Sequence, residues 1–423
     1  MTAAKPSPRS DTEAETAAEP PGVLEGIRVI ELANWVAAPN CAALMADLGA
    51  DVVKLEPPGG DPYRHYMQRA IEYDYPFTAN LAFQLDNRGK RSLTVDLNHE
   101  EGPALAGELI AQADIFITNL LPKRREKYGL TAEALLAKVP RLIDVWLTGY
   151  GSAGPDADQL GYDYSVYWAR SGIMALMGEP PSPPALQRGA MGDHTAALNL
   201  LGSTLAALRL RDITGEGQRV EVSLLATGHW ILGCDLSGAL VEPIQPPRHD
   251  RRAPVNPLWN SYPTRDDRWV LLVMPQTDPY WPAFCKMVER PEWESDPRYA
   301  THESRNEHGA ELAPAIEEAF RKRTLAEWST LLDEAGVIWA PIARITDVID
   351  DPQAAANELF VELEHSEIGR FPTVAAPFQL SSGNPRPAGA APLLDAETGA
   401  ILREFGFEDE RIDALRERGV VGG

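Results

Sequence analysis

The stretch IRVIELANWVAAPNCAALMADLGADVVKLE, residues 27–56, alternates strand and helix signals within one short run. Ile27 to Leu32 (IRVIEL) reads as a buried strand. Ala33 to Pro39 reads as a loop. Asn40 to Leu48 carries apolar residues at helical spacing, and Gly49 suits the residue just past a helix end. Ala50 to Leu55 is a second strand, closed by Glu56. A β-α-β unit favours parallel strands joined by a right-handed crossover. Working outward, a third strand is expected at Ser92 to Leu97, a helix at Gly102 to Ala113, and strands at Asp114 to Thr118 and Leu142 to Leu147. The fold class is therefore α/β, with a Rossmann-like open sheet. Ligands in such sheets sit outside the carboxyl ends of the strands. Here those ends release Asn34 to Val36, Glu56, Asn119 to Leu121, and Thr148 to Gly151.

A dinucleotide site is the first expectation and fails on detail. The turn ANWVAAP has no G-x-G-x-x-G, so the backbone cannot approach a pyrophosphate in that manner. Glu56 imitates a ribose-binding acid, but without the glycines it says little. No G-x-x-x-x-G-K-S/T loop is present either.

The chain has 423 residues, a 44% hydrophobic content and a net charge of −23. That length suggests more than one folding unit. That charge argues against nucleic acid as a partner. No uninterrupted apolar run is long enough to cross a bilayer, so no membrane association is expected. Residues 1–22 lack a signal-peptide apolar region and read as a disordered tail. Cys41, Cys234 and Cys285 lie far apart, with neither metal-ligand nor disulfide spacing. A reducing, cytoplasmic location is expected, with no metal. Two basic clusters stand out in so acidic a chain: Arg88, Lys90 and Arg91, then Lys123, Arg124, Arg125 and Lys127. Most single members read as solvated surface charge, but a cluster could seat a phosphate-bearing ligand.

Further along, Thr195 to Leu210 has helical periodicity, with Leu198, Leu201, Leu205 and Leu208 recurring. Directly before it runs Arg188-Gly-Ala-Met-Gly-Asp-His194. Asp193 is thus a lone, glycine-flanked carboxylate at a helix start, where an N-cap is the plain reading. Asp163 reads in the same way, as a cap for Tyr164 to Arg170. His194 forms no catalytic pair with Asp193, because adjacent helical residues do not face each other. Gln218 to Val222 is a strand, and Val241 to Pro257 is rich in Pro and Arg. Pro263 to Met274 reads as a hairpin turning at Arg265 to Arg268, followed by two or more helices to about Leu332. Gly336 to Ile342 and Phe371 to Phe378 look like strands, and Glu408 to Arg416 is a polar helix. The expected organisation is a large Rossmann-like unit at 23–225, a linker at 226–257 and a smaller α+β unit at 258–332; that 333–423 returns to complete the large unit is implied by the family resemblance that the following segments carry.

In order along the chain, the segments LEGIRVIELANWVAAPNCAALMADLGADVVKLEPPGGDPYR, LDNRGKRSLTVDLN, ADIFITNLLPKRREKYGL, GYGSAGP, LGYDYSVYWARSG, GAMGD, TGEGQRVEVSLL, NPLWNSYPTRDDRWV, RPEWESDPRY and APFQLS resemble the family III coenzyme A transferases, the group containing the formyl-CoA:oxalate and carnitine enzymes. The resemblance runs from Gly22 nearly to the end. It implies transfer of coenzyme A from an acyl-CoA to a carboxylic acid, in a homodimer of interlocked chains. It also implies that Asp193 is the nucleophile, forming a mixed anhydride and then an aspartyl-CoA thioester, and that Asp163 is a second catalytic acid. CoA is expected to touch Val36, Val95, Asp96, Leu97, Asn98, Asn119, Leu120, Leu121, Lys127, Leu160, Gly161 and Tyr162. CoA is a substrate, and no tightly bound cofactor is implied.

The chain departs from the oxalate enzyme's pattern. Its glutamine aligns with Val36, its arginine with Pro57 and its tryptophan near Tyr66, while its glycine-rich lid has no counterpart near Val255 to Trp259. Oxalate and formate are therefore not the expected substrates. Arg64 and Arg188 could hold a second carboxylate, which leaves a mono- or dicarboxylic acid, with succinyl-CoA as a donor, as the expectation. Two alternatives stand beside transfer. An α-methylacyl-CoA racemase needs a histidine upstream of Asp163, and none occurs between Glu100 and Met191. A non-catalytic CoA-binding protein would leave Asp193 idle.

Overall fold

The structure, a computed structural model, describes residues 22–66 and 80–422. All but the last residue of the expected disordered tail lies outside them. Strands β1 (Arg28–Leu32), β2 (Asp51–Glu56), β3 (Arg91–Thr94), β4 (Ile115–Thr118), β5 (Ile143–Thr148) and β6 (Gln218–Ser223) form one sheet. Their order is β3-β2-β1-β4-β5-β6, and every neighbouring pair is parallel. The chain therefore reverses its direction of travel across the sheet between β1 and β4, the place where such folds open a crevice.

Both faces of this sheet are covered, which is why its strands read as nearly continuous apolar runs. Val29, Val52, Ile115 and Val145 pack against the helices Ala37–Asp47 and Met191–Thr214. On the other face Ile30, Val53 and Phe116 meet Leu105 and Leu109. The same core includes Ile401, Leu402, Phe405, Ile412 and Leu415, so the last helices of the chain return to the first sheet.

Several boundaries differ from expectation. The first helix starts at Ala37, with Pro39 in its first turn, where backbone N–H groups lack intrahelical partners and proline costs little. The third strand ends at Thr94, and Val95 continues it only as a bridge to Val421. Much of the expected linker is helical, as Leu224–Ile231 and Gly233–Val241. Ser223 caps the first of these by accepting from Ala226 N at 3.0 Å.

A second sheet, β7 (Ser261–Pro263), β8 (Trp269–Leu272) and β9 (Trp339–Pro341), is antiparallel. It has its own core, with Tyr262, Val270, Trp281, Phe284, Phe320 and Trp328. β10 (Phe360–His365) pairs with β11 (Gly369–Val374). Only the second of these had a sequence signal, because the hairpin is largely exposed and buries few apolar side chains. Among the described residues no single helix is long and apolar enough to cross a membrane; helices 224–231 and 233–241 pass that test only together, and they meet at 81°.

Candidate active site

The helix Met191–Thr214 starts abruptly. Ala190 has φ 69°, a left-handed conformation that turns the chain into the helix, and no side chain caps it. Asp193 is therefore the third helical residue rather than the cap the sequence suggested. Its carboxylate makes no hydrogen bond or ion pair among the described residues and is half-buried on the wall of a cavity. Burial pushes the Asp193 carboxyl up to about 7; the negative charges of Asp163 and Asp86 add to this, and His194 opposes it.

Asp163 stands directly behind this turn. Its Oδ1 accepts from Gly192 N at 2.8 Å and its Oδ2 from Trp168 Nε1 at 3.1 Å. It does not cap the segment Tyr164–Arg170, which is a π-helix. Burial pushes its carboxyl up, and the Gly192 and Trp168 donors restrain that rise. Glycine is required at 192, since a Cβ there would lie 2.2 Å from Tyr167 Cγ and 2.3 Å from Asp163 Oδ1.

The loop leaving β1 is held by a buried ionic network. Lys54 Nζ lies 2.6 Å from Glu31 Oε1 and 3.0 Å from Asp61 Oδ2, and Lys90 Nζ is 2.6 Å from Glu31 Oε2. Asp61 Oδ1 accepts from Trp35 N at 3.2 Å and from Tyr63 N at 2.9 Å. Glu56 accepts from Asp61 N at 2.9 Å and from Arg64 through two nitrogens, at 2.7 and 2.6 Å. Burial alone would raise the Glu56 carboxyl, but Arg64 and Lys54 hold it at about 2. Glu56 is thus a structural anion, not a ribose-binding acid. Across the sheet's reversal point, Asn34 N donates to Asn119 Oδ1 at 3.2 Å and Asn119 Nδ2 to Asn34 O at 2.8 Å.

A cavity of about 690 Å³ opens at the carboxyl ends of β1, β4 and β5. Of the residues expected at the site, Val36, Asn119, Leu120, Leu121, Leu160, Gly161, Tyr162 and Asp193 line it. A neighbouring cavity of about 140 Å³ takes Val95, Asp96, Leu97 and Asn98. Asp163 and Lys127 line neither, although Lys127 Nζ lies 3.4 Å from Asn98 Oδ1. Arg124, expected only as one member of a basic cluster and not among the CoA contacts, borders both cavities and forms no ion pair among the described residues. The signal was available: Arg124, Lys127 and Tyr128 share one face of the helix Pro122–Tyr128, at i, i+3 and i+4.

Four of the other basic residues have structural partners. Arg88 is buried on Asp47, Lys90 on Glu31 and Arg125 on Asp144, while Arg91 pairs with Asp51 and Glu404. The first cluster is therefore no phosphate seat. Arg64, offered as a holder of a second carboxylate, is committed to Glu56. Arg188 is exposed and lines neither cavity. His194 is paired with Asp86, its Nε2 2.9 Å from Asp86 Oδ1. Burial would lower the His194 pKa, but Asp86 together with Asp193 and Asp163 raises it overall. Among the described residues no group of three or more His, Cys, Asp or Glu could hold a metal ion.

A family model for CoA-transferase family III matches residues 24–398. The (R)-2-hydroxy-4-methylpentanoate CoA-transferase of Clostridioides difficile is 33% identical over 399 residues, covering 94% of this chain and 99% of that protein. Cinnamoyl-CoA:phenyllactate CoA-transferase of Clostridium sporogenes is 31% identical, over 93% of this chain and 96% of its own. A CAIB/BAIF family protein from Brucella suis shares the fold with a TM-score of 0.81 at 30% identity, covering 91% of this chain and 100% of that one. The chain belongs to CoA-transferase family III. It is an acyl-CoA:carboxylate CoA-transferase, acting on CoA thioesters. The racemase alternative is not favoured.

Proposed function

We propose that Asp193 carries CoA transfer as a covalent nucleophile. The observation that supports this best is a carboxylate, lifted by burial to about 7, on the wall of the cavity at the sheet's carboxyl edge. The Asp193 carboxylate attacks the donor thioester carbonyl and expels CoA thiolate, leaving a mixed anhydride. The thiolate attacks the Asp193 carbonyl carbon, releases the donor acid and leaves an aspartyl-CoA thioester. The acceptor carboxylate attacks that thioester, expelling thiolate and forming a second anhydride. Thiolate then attacks the acceptor's acyl carbon, which yields the new acyl-CoA and restores the carboxylate. Thioester energy is conserved, and no net proton transfer is needed. Asp163 positions the turn through Gly192 N–H, and its charge keeps Asp193 reactive.

CoA spans the two cavities, past Val36, Asn119 to Leu121 and Leu160 to Tyr162, towards Val95 to Asn98 and Lys127, with Arg124 between them neutralising phosphate. Residues 23–225 with the returning segment 401–421 form the CoA-binding unit, and the smaller unit, expected to end at 332, extends to β9 at 341 because that strand pairs with β8. A homodimer of interlocked chains in a cytoplasmic setting completes this reading. In its favour, the helix Gly233–Val241 buries none of its residues, and Trp230, Leu240, Val241 and Ile345 are exposed. Incubation with acyl-CoA alone should add a CoA-sized, hydroxylamine-labile mass to the wild-type chain and none to Asp193→Ala. An equal adduct on both chains would overturn the assignment.

A further inference from the structure

We propose that the ring cluster around Trp35 is the acyl subsite, and that it selects carboxylic acids carrying an aromatic or branched apolar group. This rests on the transfer reading of the same cavity. Trp35 has φ 70°, a conformation in which a bulky residue is an outlier. Such backbone persists where the surroundings over-determine it, and it gathers at ligand sites. Here the determinant is Asp61, held by Lys54 and bonded to Trp35 N.

The rotation aims the indole at three rings. Its centroid lies 5.2 Å from Tyr66 and 5.8 Å from Tyr162, both edge-on, and 6.2 Å from Tyr63. Edge-to-face pairs at these distances are favourable and leave ring faces available. This is not core packing, because Tyr66 is 52% exposed and Tyr162 49% exposed. Trp35 and Tyr162 line the same cavity as Asp193. Trp35 and Ala190, which starts the Asp193 turn, both pack on the cluster of Val36, Tyr63 and Phe83. An apolar group laid on these rings therefore sits beside the nucleophile.

The charges point the same way. Arg124 is the only Arg or Lys among the described residues lining this cavity, and it lies on the border with the second cavity. Arg64 is spent on Glu56. A second carboxylate on the acid would lose water beside Asp193 with only Arg124, already assigned to the CoA phosphates, lining the cavity as a cation.

The test uses the full-length enzyme with acetyl-CoA as donor and 3-phenylpropionate, 4-methylpentanoate, propionate, succinate and glutarate as acceptors, read as new CoA thioesters by mass spectrometry. The two apolar acids should exceed both dicarboxylates in kcat/KM by about tenfold or more. Trp35→Ala should lower the ratio of 3-phenylpropionate to propionate by about tenfold, mainly through KM, and Trp35→Phe should restore most of it. If Trp35→Ala does not fold, Tyr162→Ala should move the ratio in the same direction. Dicarboxylates matching the apolar acids, or a ratio unmoved by these variants, would overturn the subsite. Transfer to none of the acids, with no adduct on Asp193, would instead sink the transfer reading on which the subsite rests.

Discussion

Asp193→Asn should make the protein inactive and more stable, and the gain should grow with pH. In the folded chain the Asp193 carboxyl sits at about 7, against an ordinary 3.8, because burial and the neighbouring Asp163 charge disfavour its anion. Below about 3.8 the group is neutral folded and unfolded, and no penalty exists. As pH rises towards 7, unfolding releases a proton that folding retains, so stability falls; above 7 the penalty is constant. Three units correspond to about 4 kcal/mol, and contact with solvent in the cavity reduces that to about 2–4 kcal/mol. Asparagine keeps the shape and carries no such penalty. The gain should be about 2–4 kcal/mol at pH 8 and about 1 kcal/mol at pH 5. Thermal melts at one protein concentration should show it, at about 2 °C per kcal/mol. A variant no more stable than wild type at pH 8, or a gain equal at both pH values, would refute the reasoning.

The same ionisation should govern turnover: kcat/KM should fall about tenfold per pH unit below 7, since only the carboxylate attacks. A pH-independent kcat/KM between 5 and 8 would contradict this. Gly192→Ala places a Cβ 2.2 Å from Tyr167 Cγ and 2.3 Å from Asp163 Oδ1, so the turn must shift and kcat should drop about a hundredfold. Arg124→Glu should raise the KM for acyl-CoA about tenfold or more, while Arg321→Glu, on the surface beside Glu317, should leave it near wild type. Lys54→Met removes the buried cation shared by Glu31 and Asp61, leaving Glu31 with Lys90 alone and Asp61 with backbone donors but no cation of its own. Urea titration should show a loss of about 3–5 kcal/mol.

Sequence alone determined the parallel sheet. Strands buried on both faces are mostly apolar, so IRVIEL and ADVVKL announce themselves without any knowledge of their neighbours, even though Glu31 and Lys54 interrupt them. The GAMGD run stood out only through its resemblance to the family's motif; read locally it was a helix cap, and the close approach of Gly192 to Asp163 and Tyr167 is a tertiary contact. The C-terminal helices were harder to place. Their apolar residues show helical spacing but not which face of which sheet they cover. Tertiary structure alone decided how the charged residues are used. Arg88, Lys90 and Arg124 look alike in sequence, yet two are buried on carboxylates 41 to 59 positions away and the third borders both cavities. Likewise nothing local marks Trp35 as left-handed. That conformation is imposed by Asp61, itself fixed by Lys54 and Glu56. A charge takes its role from partners that the fold brings near, and those partners lie beyond any local pattern.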